Sequence, residues 1–319
     1  METGNTRTLR ELGLRAFVKE FVQGYRLLRH IDPTIVMVIH TWIIAPFVIF
    51  AYKGASAFGR TARHPRRITR FVLNMDSDGQ IFISGRMRIF WRSVLLLNAM
   101  CFDRLVIAST CGAQRIRALL PDKRKLVVMP SGYSSLTYSK VGYRDTARYP
   151  VILVVARVVR AKGHDILLRA FDRISGSLPQ WSVHVVGPIQ DRAYYSELVR
   201  LASGNGASRR VLFLGELDED SLLLEYLHAS VFCLPSLTEG FPAARLEAAA
   251  LGLPVVTSEA GCGEDLGKYG AYVGPIGDVN WLASTLDNLL RDDQARYVSA
   301  SRLQGHIISW QDFAERLIE

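Results

Sequence analysis

The sequence predicts an α/β fold made of two doubly wound domains, residues 1–140 and 141–319. Short apolar runs alternate with amphipathic segments along most of the 319 residues, and this alternation is typical of a parallel sheet with crossover helices. Residues 131–149 are rich in Ser, Tyr and Gly and show no periodicity, which predicts a linker between the two sets of elements. Since 49% of the residues are hydrophobic, each domain can bury a sizeable core.

The net charge of +9 is divided unevenly between the two predicted domains. Residues 1–150 hold 24 Lys and Arg against nine Asp and Glu, whereas the remaining residues hold 15 against 21. A front half this basic predicts an anionic partner: a membrane surface, a phosphorylated lipid, an acidic glycan or nucleic acid. A solvated basic surface would have the same composition. No aromatic and basic RNA-binding pattern accompanies the charge, so we expect no nucleic-acid partner.

The first domain opens with two segments that each allow two interpretations. Residues 6–30 predict an amphipathic helix with basic flanks, which either packs on the core or lies on anionic lipid. Ile35 to Tyr52 is an apolar run of 18 residues, the threshold length for a membrane span. Because His40, Thr41 and Pro46 interrupt it, a strand (IVMVIHTW) followed by a helix is favoured.

The rest of the first domain continues the alternation. The basic cluster Arg60–Arg70 predicts a loop that could meet lipid phosphates, and the strand RFVLNMD follows it. Asp76-Ser77-Asp78 spells a D-x-D pattern, but the adjacent Gly79 favours an ordinary turn, so no metal site is predicted. The further elements are helices at 89–101 and 111–120 and strands at 103–109 and 125–130.

The second domain has the most regular alternation in the chain. The four cysteines of the whole chain show neither metal-ligand nor disulfide-framework spacing, which fits a reducing cytosolic setting. Cys233, inside an apolar strand of the second domain, is interpreted as a small buried residue. The first residues, METGNTRTLRELG, lack the apolar core of a signal peptide, which fits a cytoplasmic or peripheral protein. The predicted strands are 151–156, 181–187, 210–215, 230–235, 254–256 and 271–273, and the predicted helices are 164–174, 192–202, 219–228, one beginning near Pro242, 279–291, 294–305 and 310–318.

The most informative stretch is Pro235 to Ser258, PSLTEGFPAARLEAAALGLPVVTS. Glu239 and Glu247 stand eight residues apart across a loop-to-helix junction that lies between two apolar strands. Ligands of parallel α/β sheets bind beyond the carboxyl ends of the strands, where Glu239 and the Gly240-Phe241 pair are expected. The amides of the following helix face the same loop and suit phosphate or sugar hydroxyls. From spacing alone, a surface loop followed by an amphipathic helix explains the stretch equally well.

The same stretch resembles the E-x7-E motif of glycosyltransferase family 4, with Glu239 and Glu247 in the settings PS-x-x-EGFP and GLPVV. The resemblance, to a "glycosyl transferases group 1" domain, implies the GT-B fold, in which two Rossmann-like domains face each other. It also implies a retaining reaction on a UDP- or GDP-linked sugar, without a further cofactor. Glu247 would then hold the ribose hydroxyls, Glu239 the hydroxyls of the transferred sugar, and Gly240 and Phe241 would contribute backbone amides.

Two cations flank the first strand-to-helix turn of the second domain. Arg157 and Lys162 stand in ARVVRAKGHD, where Gly163 eases the turn. Arginine binds oxygens bidentately and lysine acts as a point charge, so the pair suits a diphosphate. The passage resembles the R-x4-K-G element of the same family, which implies contacts to the diphosphate of the donor. Fixed cations there would stabilise the negative charge that develops as the glycosidic phosphate bond breaks.

A glycine-rich segment follows the strand that ends the motif. Gly261-Cys262-Gly263 and Gly267 do not have the spacing of a dinucleotide-binding fingerprint, because the third glycine is one position late. We expect an ordinary glycine-rich turn. The family often has a similar turn with a glutamate beside the donor site, and here the corresponding residue is Glu264.

The first domain departs from the family pattern. The expected opening strand and its glycine-rich phosphate loop have no counterpart before residue 35, so this domain is either naturally shortened or the sequence is incomplete at its N-terminus. Where the family often places a histidine at the reaction centre, this chain has Asp76, and Ser131 replaces a usual asparagine. Asp76 and Glu239 are therefore the predicted catalytic residues.

Three functions fit these residues. The favoured one is a retaining glycosyltransferase that acts on a glycan or lipid-linked acceptor at the cytoplasmic face of a membrane, in the synthesis of surface polysaccharide or glycolipid. The second is a non-catalytic nucleotide-sugar-binding subunit that has lost its phosphate loop. The third is an unrelated phosphate-binding α/β enzyme such as an epimerase.

Overall fold

The described strands form two parallel sheets, one in each of two units, residues 1–129 and 130–319. The structure, a computed structural model, describes residues 35–39, 46, 49, 70–75, 87–129, 147–203, 210–240, 243–309 and 312. Several expectations lie outside these residues: the helix at 6–30, nearly all of the cluster Arg60–Arg70, Asp76 with its D-x-D pattern, Ser131 and the domain boundary at 140/141, Phe241, and nearly all of the helix at 310–318.

The first unit contains four strands that lie side by side in chain order, all parallel. The apolar run that begins at Ile35 starts with the first of these strands, as predicted. In the part of the chain that the structure describes, none of the helices combines the length and the apolarity needed to cross a bilayer. The strands are β1 (Ile35–Ile39), β2 (Arg70–Met75), β3 (Arg104–Ile107) and β4 (Leu126–Val128), and the helices are α1 (Arg88–Cys101) and α2 (Thr110–Arg117).

The helices of this unit begin and end for local reasons. Ser109 starts α2, because its side chain accepts a hydrogen bond from the Gly112 amide at 3.2 Å and so satisfies one of the first unpaired donors of the helix. Helix α1 buries Val94 and Leu95 on one side, and α2 packs against β3 and β4.

The second unit contains a sheet of six parallel strands in the order β10-β9-β8-β5-β6-β7. In chain order this is the doubly wound arrangement 6-5-4-1-2-3, whose winding direction reverses between β5 and β8. The strands are β5 (Val151–Val155), β6 (Ser182–Val186), β7 (Val211–Gly215), β8 (Val231–Leu234), β9 (Val255–Ser258) and β10 (Tyr272–Gly274).

The helices of the second unit follow the prediction closely, and the ends that were predicted differ from the observed ones by at most one residue. The short helix α7, which starts at Glu264, was not predicted. The helices are α3 (His164–Ser175), α4 (Arg192–Ser203), α5 (Glu219–His228), α6 (Ala243–Ala250), α7 (Glu264–Gly267), α8 (Val279–Arg291) and α9 (Asp293–Gln304).

Helices enclose the central strands of this sheet. Helix α3 packs against α4 and α8, and α6 packs against α9. Every residue of β8 and of β9 is buried, as expected for parallel strands that are covered on both faces. Cys233, in β8, is fully buried, and burial raises the pKa of its thiol, which confirms its prediction as a small core residue.

Candidate functional site

The turn after β5 lies directly against the loop after β8, at the point where the sheet reverses its winding. A 3₁₀ turn, Arg160–Lys162, leads into Gly163, whose φ of +67° lies in the left-handed region. A Cβ atom on Gly163 would stand 2.1 Å from the carbonyl oxygen of Pro235. The Leu237 amide donates to the carbonyl oxygen of Ala161 at 2.8 Å. The glycine thus allows the two strand ends to meet.

This meeting pairs two of the predicted site residues. Lys162 Nζ donates to Glu239 Oε1 at 2.5 Å, and the side chains are only 16% and 6% exposed. Ser236 Oγ donates to the same carboxylate oxygen at 2.7 Å, and Ser258 Oγ donates to the carbonyl oxygen of Ser236 at 2.6 Å. A charge pair this shielded requires partners for both ions, and the serine supplies a second one for the carboxylate.

The turn after β9 closes over Glu239 from the other side. A Cβ atom on Gly261, whose φ is +63°, would lie 2.5 Å from Glu239 Cβ and 2.9 Å from the carbonyl oxygen of Gly240. The predicted glycine-rich turn is therefore confirmed as a close backbone approach. Glu264 follows the turn at the start of α7 and is exposed.

A buried arginine holds this turn in place. Arg245, on α6, is 1% exposed and donates to the carbonyl oxygens of Ala260 and Gly261 at 3.2 Å each and to Thr257 Oγ1 at 3.2 Å. Burial lowers the pKa of Arg245 to about 10, and the nearby Glu239 carboxylate opposes that decrease. The guanidinium is therefore charged at neutral pH and places a fixed positive charge beside Glu239.

Glu247 lies further along α6, in a separate environment. Its Oε2 accepts a hydrogen bond from the Tyr226 hydroxyl at 2.9 Å, and Tyr226 belongs to α5. Burial raises the pKa of Glu247, whereas the bond from Tyr226 lowers it. Two opposing effects therefore act on the pKa of this carboxylate, burial and the hydrogen bond from Tyr226.

Arg157 lies at the same edge of the sheet but points elsewhere. Its side chain is exposed, and Nη1 donates to Gln190 Oε1 at 2.8 Å, beyond the end of β6. The structure therefore brings Lys162 and Glu239 into contact but joins neither of them to Arg157. Phe241 and Asp76 lie outside the described residues, and the roles assigned to all of these side chains stay predictions.

Sequence reasoning did not find three residues that shape the site: Ser236, Arg245 and Tyr226. Arg245 had a usable signal, because a charged residue within AARLEAAA, between two apolar strands, has little chance of reaching solvent. Ser236 and Tyr226 carried no such signal. Tyr226 precedes Glu247 by 21 residues, and only the packing of α5 beside α6 brings them together.

The chemistry of this edge fits a ligand with both hydroxyl and phosphate groups. Carboxylates accept from hydroxyls, while the Lys162 ammonium suits anionic oxygens. Within the described ranges, no group of three or more His, Cys, Asp or Glu side chains is arranged to hold a metal ion. Fold and site together define a doubly wound α/β protein with a polar ligand site at the switch point of its sheet.

Comparison with known proteins gives the family. Residues 143–303, about half of the chain, match the family model described as glycosyl transferases group 1, and the chain belongs to that family. This result confirms the family predicted from the E-x7-E motif.

Curated relatives cover different parts of the chain. A D-inositol 3-phosphate glycosyltransferase of Corynebacterium jeikeium is 36% identical over 297 residues, which is 86% of this chain and 65% of the relative. A GDP-mannose-dependent monoacylated alpha-(1-6)-phosphatidylinositol monomannoside mannosyltransferase of Corynebacterium glutamicum is 31% identical over 194 residues, or 57% of this chain and 49% of the relative. The chain thus spans between about half and two thirds of the length of these two relatives.

Solved structures support the fold class. Anabaena Alr3699/HepE, crystallised with UDP and glucose, superposes with a TM-score of 0.71 at 17% identity, covering 99% of this chain and 84% of that one. The sucrose-phosphate synthase of Thermosynechococcus elongatus superposes with a TM-score of 0.70 at 18% identity, covering 98% and 79%. The predicted α/β fold of the GT-B class is confirmed.

Proposed function

We propose that this protein is a retaining glycosyltransferase that moves a sugar from a UDP- or GDP-linked donor to a glycan or lipid-linked acceptor. The observation that carries the proposal is the shielded pair of Lys162 and Glu239 at the switch point of the sheet. Ligands of doubly wound sheets bind at this place, and the pair offers a cation for phosphate next to a carboxylate for hydroxyls. No cofactor beyond the nucleotide-sugar is proposed.

The ion pair would change partners when the donor binds. Lys162 has three N–H donors, of which Glu239 uses one in this structure. We assign the other donors of Lys162 to the diphosphate and the second oxygen of Glu239 to a hydroxyl of the transferred sugar. The buried guanidinium of Arg245 lies near Glu239 and supplies a second positive charge for that carboxylate while Lys162 turns to the phosphate.

The remaining roles are assigned from the family resemblance. Glu247 binds the ribose hydroxyls, Arg157 leaves Gln190 to reach the outer phosphate, and the backbone near Gly240 and Phe241 supplies amides. Asp76 stays a predicted catalytic residue, on the basis of its position in the sequence alone. The departing phosphate takes the proton of the acceptor hydroxyl, as retaining enzymes of this family are thought to do, so no side-chain nucleophile is required.

Donor binding is the direct test. Titrating the protein with UDP, GDP and a panel of UDP- and GDP-sugars should show micromolar binding of at least one donor and its slow hydrolysis without acceptor. Absence of binding and turnover across the panel would contradict the proposal. Binding without any turnover, even with candidate acceptors, would favour the non-catalytic nucleotide-sugar-binding subunit.

Glu247→Ala tests the ribose assignment. We expect it to weaken UDP or GDP binding by about tenfold or more, because a hydrogen bond to a charged group is lost. Glu219→Ala is the control, since Glu219 is an exposed carboxylate in the first turn of α5. Equal affinities for the two variants would remove Glu247 from the site.

We also propose that the acceptor lies at an anionic membrane surface, against which helix α1 rests. One side of α1 is apolar and exposed, with Ile89 73% and Met100 76% exposed. Leu96 and Leu97 extend this side, and the hydroxyl of its one serine, Ser93, donates back to the Ile89 carbonyl oxygen at 3.1 Å. An apolar helix face in a unit with a large excess of Lys and Arg is complementary to anionic lipid.

Vesicle sedimentation tests this surface. We expect the protein to sediment with vesicles of phosphatidylcholine and phosphatidylglycerol and to be released by salt. The triple variant Ile89→Ser/Leu96→Ser/Met100→Ser should remain in the supernatant. A matched triple of scattered exposed apolar residues in the second unit, Leu224→Ser/Ile276→Ser/Tyr297→Ser, should sediment like the parent. Equal binding of both triples would refute the role of α1.

A further inference from the structure

Glu247 is held by a tyrosine from a neighbouring helix. Tyr226, on α5, is fully buried, and its hydroxyl lies 2.9 Å from Glu247 Oε2 and 3.5 Å from the carbonyl oxygen of Ala244. The shorter distance leads to the carboxyl oxygen of Glu247, so the phenolic proton is directed at that oxygen. The Tyr226 hydroxyl therefore occupies Oε2 of Glu247.

The strand that leads to Glu239 also orients Tyr226. The Tyr226 ring is stacked on Phe232 of β8, with ring centroids 6.1 Å apart and planes inclined by 25°. Strand β8 leads directly into the loop that carries Glu239. The same strand therefore positions Glu239 at its end and Glu247 through the tyrosine that is stacked on Phe232. The two carboxylates of the E-x7-E motif thus share a common support.

The Tyr226 hydroxyl opposes the effect of burial on the pKa of Glu247. Among the described residues, no lysine or arginine forms an ion pair with Glu247, in contrast to Glu239 with Lys162. Burial favours the protonated acid, and the Tyr226 hydroxyl favours the carboxylate. A protonated Glu247 would lose an acceptor that a pair of neighbouring ribose hydroxyls needs.

We propose that Tyr226 is a positioning residue for Glu247: the Tyr226 hydroxyl occupies Oε2 and so directs Oε1 to the ribose of the nucleotide. This inference rests on the proposed function, because it assigns a support to the residue that binds the nucleotide there. It predicts that the tyrosine ring alone is insufficient and that the hydroxyl is required.

Tyr226→Phe isolates the hydroxyl, because the buried ring and its stacking on Phe232 are retained. UDP and GDP affinities, measured by calorimetry from pH 5 to 8, should fall by roughly tenfold at pH 7. The acid limb of binding should move to higher pH, since the Tyr226 hydroxyl, which opposes the effect of burial on the pKa of Glu247, is then gone. In a turnover assay KM for the donor should rise while kcat changes little, the pattern of a lost ground-state contact.

Tyr194→Phe is the matched control. Tyr194 is equally buried, and its hydroxyl donates to Asp165 Oδ1 at 2.5 Å, so the variant reports the general cost of deleting a buried phenol bound to a carboxylate. We expect Tyr194→Phe to leave the acid limb of nucleotide binding at the pH found for the parent. An equal shift in both variants would overturn the proposal, because the effect would then be general.

Two further measurements separate this inference from the proposed function. In nucleotide-free protein, ¹³C NMR of the Glu247 carboxyl should give a higher pKa in Tyr226→Phe than in the parent, and an unchanged pKa would refute the role of the hydroxyl. Absence of UDP and GDP binding by the parent would instead refute the proposed function. In the double variant Tyr226→Phe/Glu247→Gln, loss of the hydroxyl should have no further effect on affinity, and an additive loss would contradict the coupling.

Discussion

Replacing Gly163 by alanine should separate the two strand ends that carry Lys162 and Glu239. The left-handed backbone costs an alanine about 1 kcal/mol, and its Cβ would stand 2.1 Å from the carbonyl oxygen of Pro235, about 1 Å inside a tolerable contact. Relieving such an overlap typically costs a further ~1–3 kcal/mol. The expected loss is therefore about 2–4 kcal/mol, a large part of the ~5–15 kcal/mol that stabilises a typical domain.

The control is at the other end of the same helix. Gly176, the C-cap of α3, has a φ of −65°, and nothing lies within 4 Å of the position its Cβ would take. Gly176→Ala should therefore be neutral or stabilise the protein by up to about 1 kcal/mol. Urea unfolding of the parent and both variants, followed by fluorescence and circular dichroism, gives the two differences in unfolding free energy.

One outcome of the unfolding measurements would contradict the prediction for Gly163. If Gly163→Ala unfolds within about 0.5 kcal/mol of Gly176→Ala, the close approach to Pro235 is not a constraint in solution, and the reasoning on this turn is wrong. If the stability falls as expected, nucleotide affinity at low temperature, where both variants remain folded, should fall with it, because Pro235 leads into the loop of Glu239.

Two other predictions concern the buried charges of the second unit. Lys162→Met should destabilise the protein by about 2–3 kcal/mol, because it removes the cation that pairs with the 6% exposed Glu239 carboxylate. The double variant Lys162→Met/Glu239→Gln should recover part of that loss in the same urea assay. An additive double variant would show that the pair is not coupled. His164 is 1% exposed, and burial lowers the pKa of its ring to about 4. The unfolded chain takes up this proton first as the pH falls, so stability should be complete above about pH 6.5 and decline by up to ~1.4 kcal/mol per pH unit toward pH 4. His164→Leu should flatten this decline and His306→Leu, which changes an exposed ring, should not, whereas equal slopes for the two variants would contradict the assignment.

The sequence predicted the second unit almost completely because its signals are local. Strands β5 and β8 are unbroken apolar runs, and α8 was predicted with the same bounds, Val279–Arg291, that the structure shows. In the first unit, the apolar run begins with strand β1, which is the interpretation that the sequence favoured over a membrane span. The four-residue helix α7 was missed because so short a segment has no periodicity to detect.

The sequence predicted which types of residue form the site but only part of their geometry. Residue types and spacing placed Glu239 and Lys162 at strand ends, and the structure adds that they form an ion pair. The same reasoning grouped Arg157 with Lys162, whereas the structure directs Arg157 to Gln190 instead. Which way a long side chain points depends on neighbours that are distant in sequence, so spacing alone cannot decide it.

By itself, then, the sequence determined the elements, the family and the two carboxylates of the motif, because hydrophobic periodicity and residue chemistry are written along the chain. Only the tertiary structure decided which partner each carboxylate has. The order of the strands brings the turn after β5 to the loop after β8, so Lys162 reaches Glu239 across 77 residues. The packing of α5 beside α6 brings the Tyr226 hydroxyl to Glu247. Partners of this kind are set by the way the chain crosses between strands, and the free energy that fixes them comes from burial of the whole core.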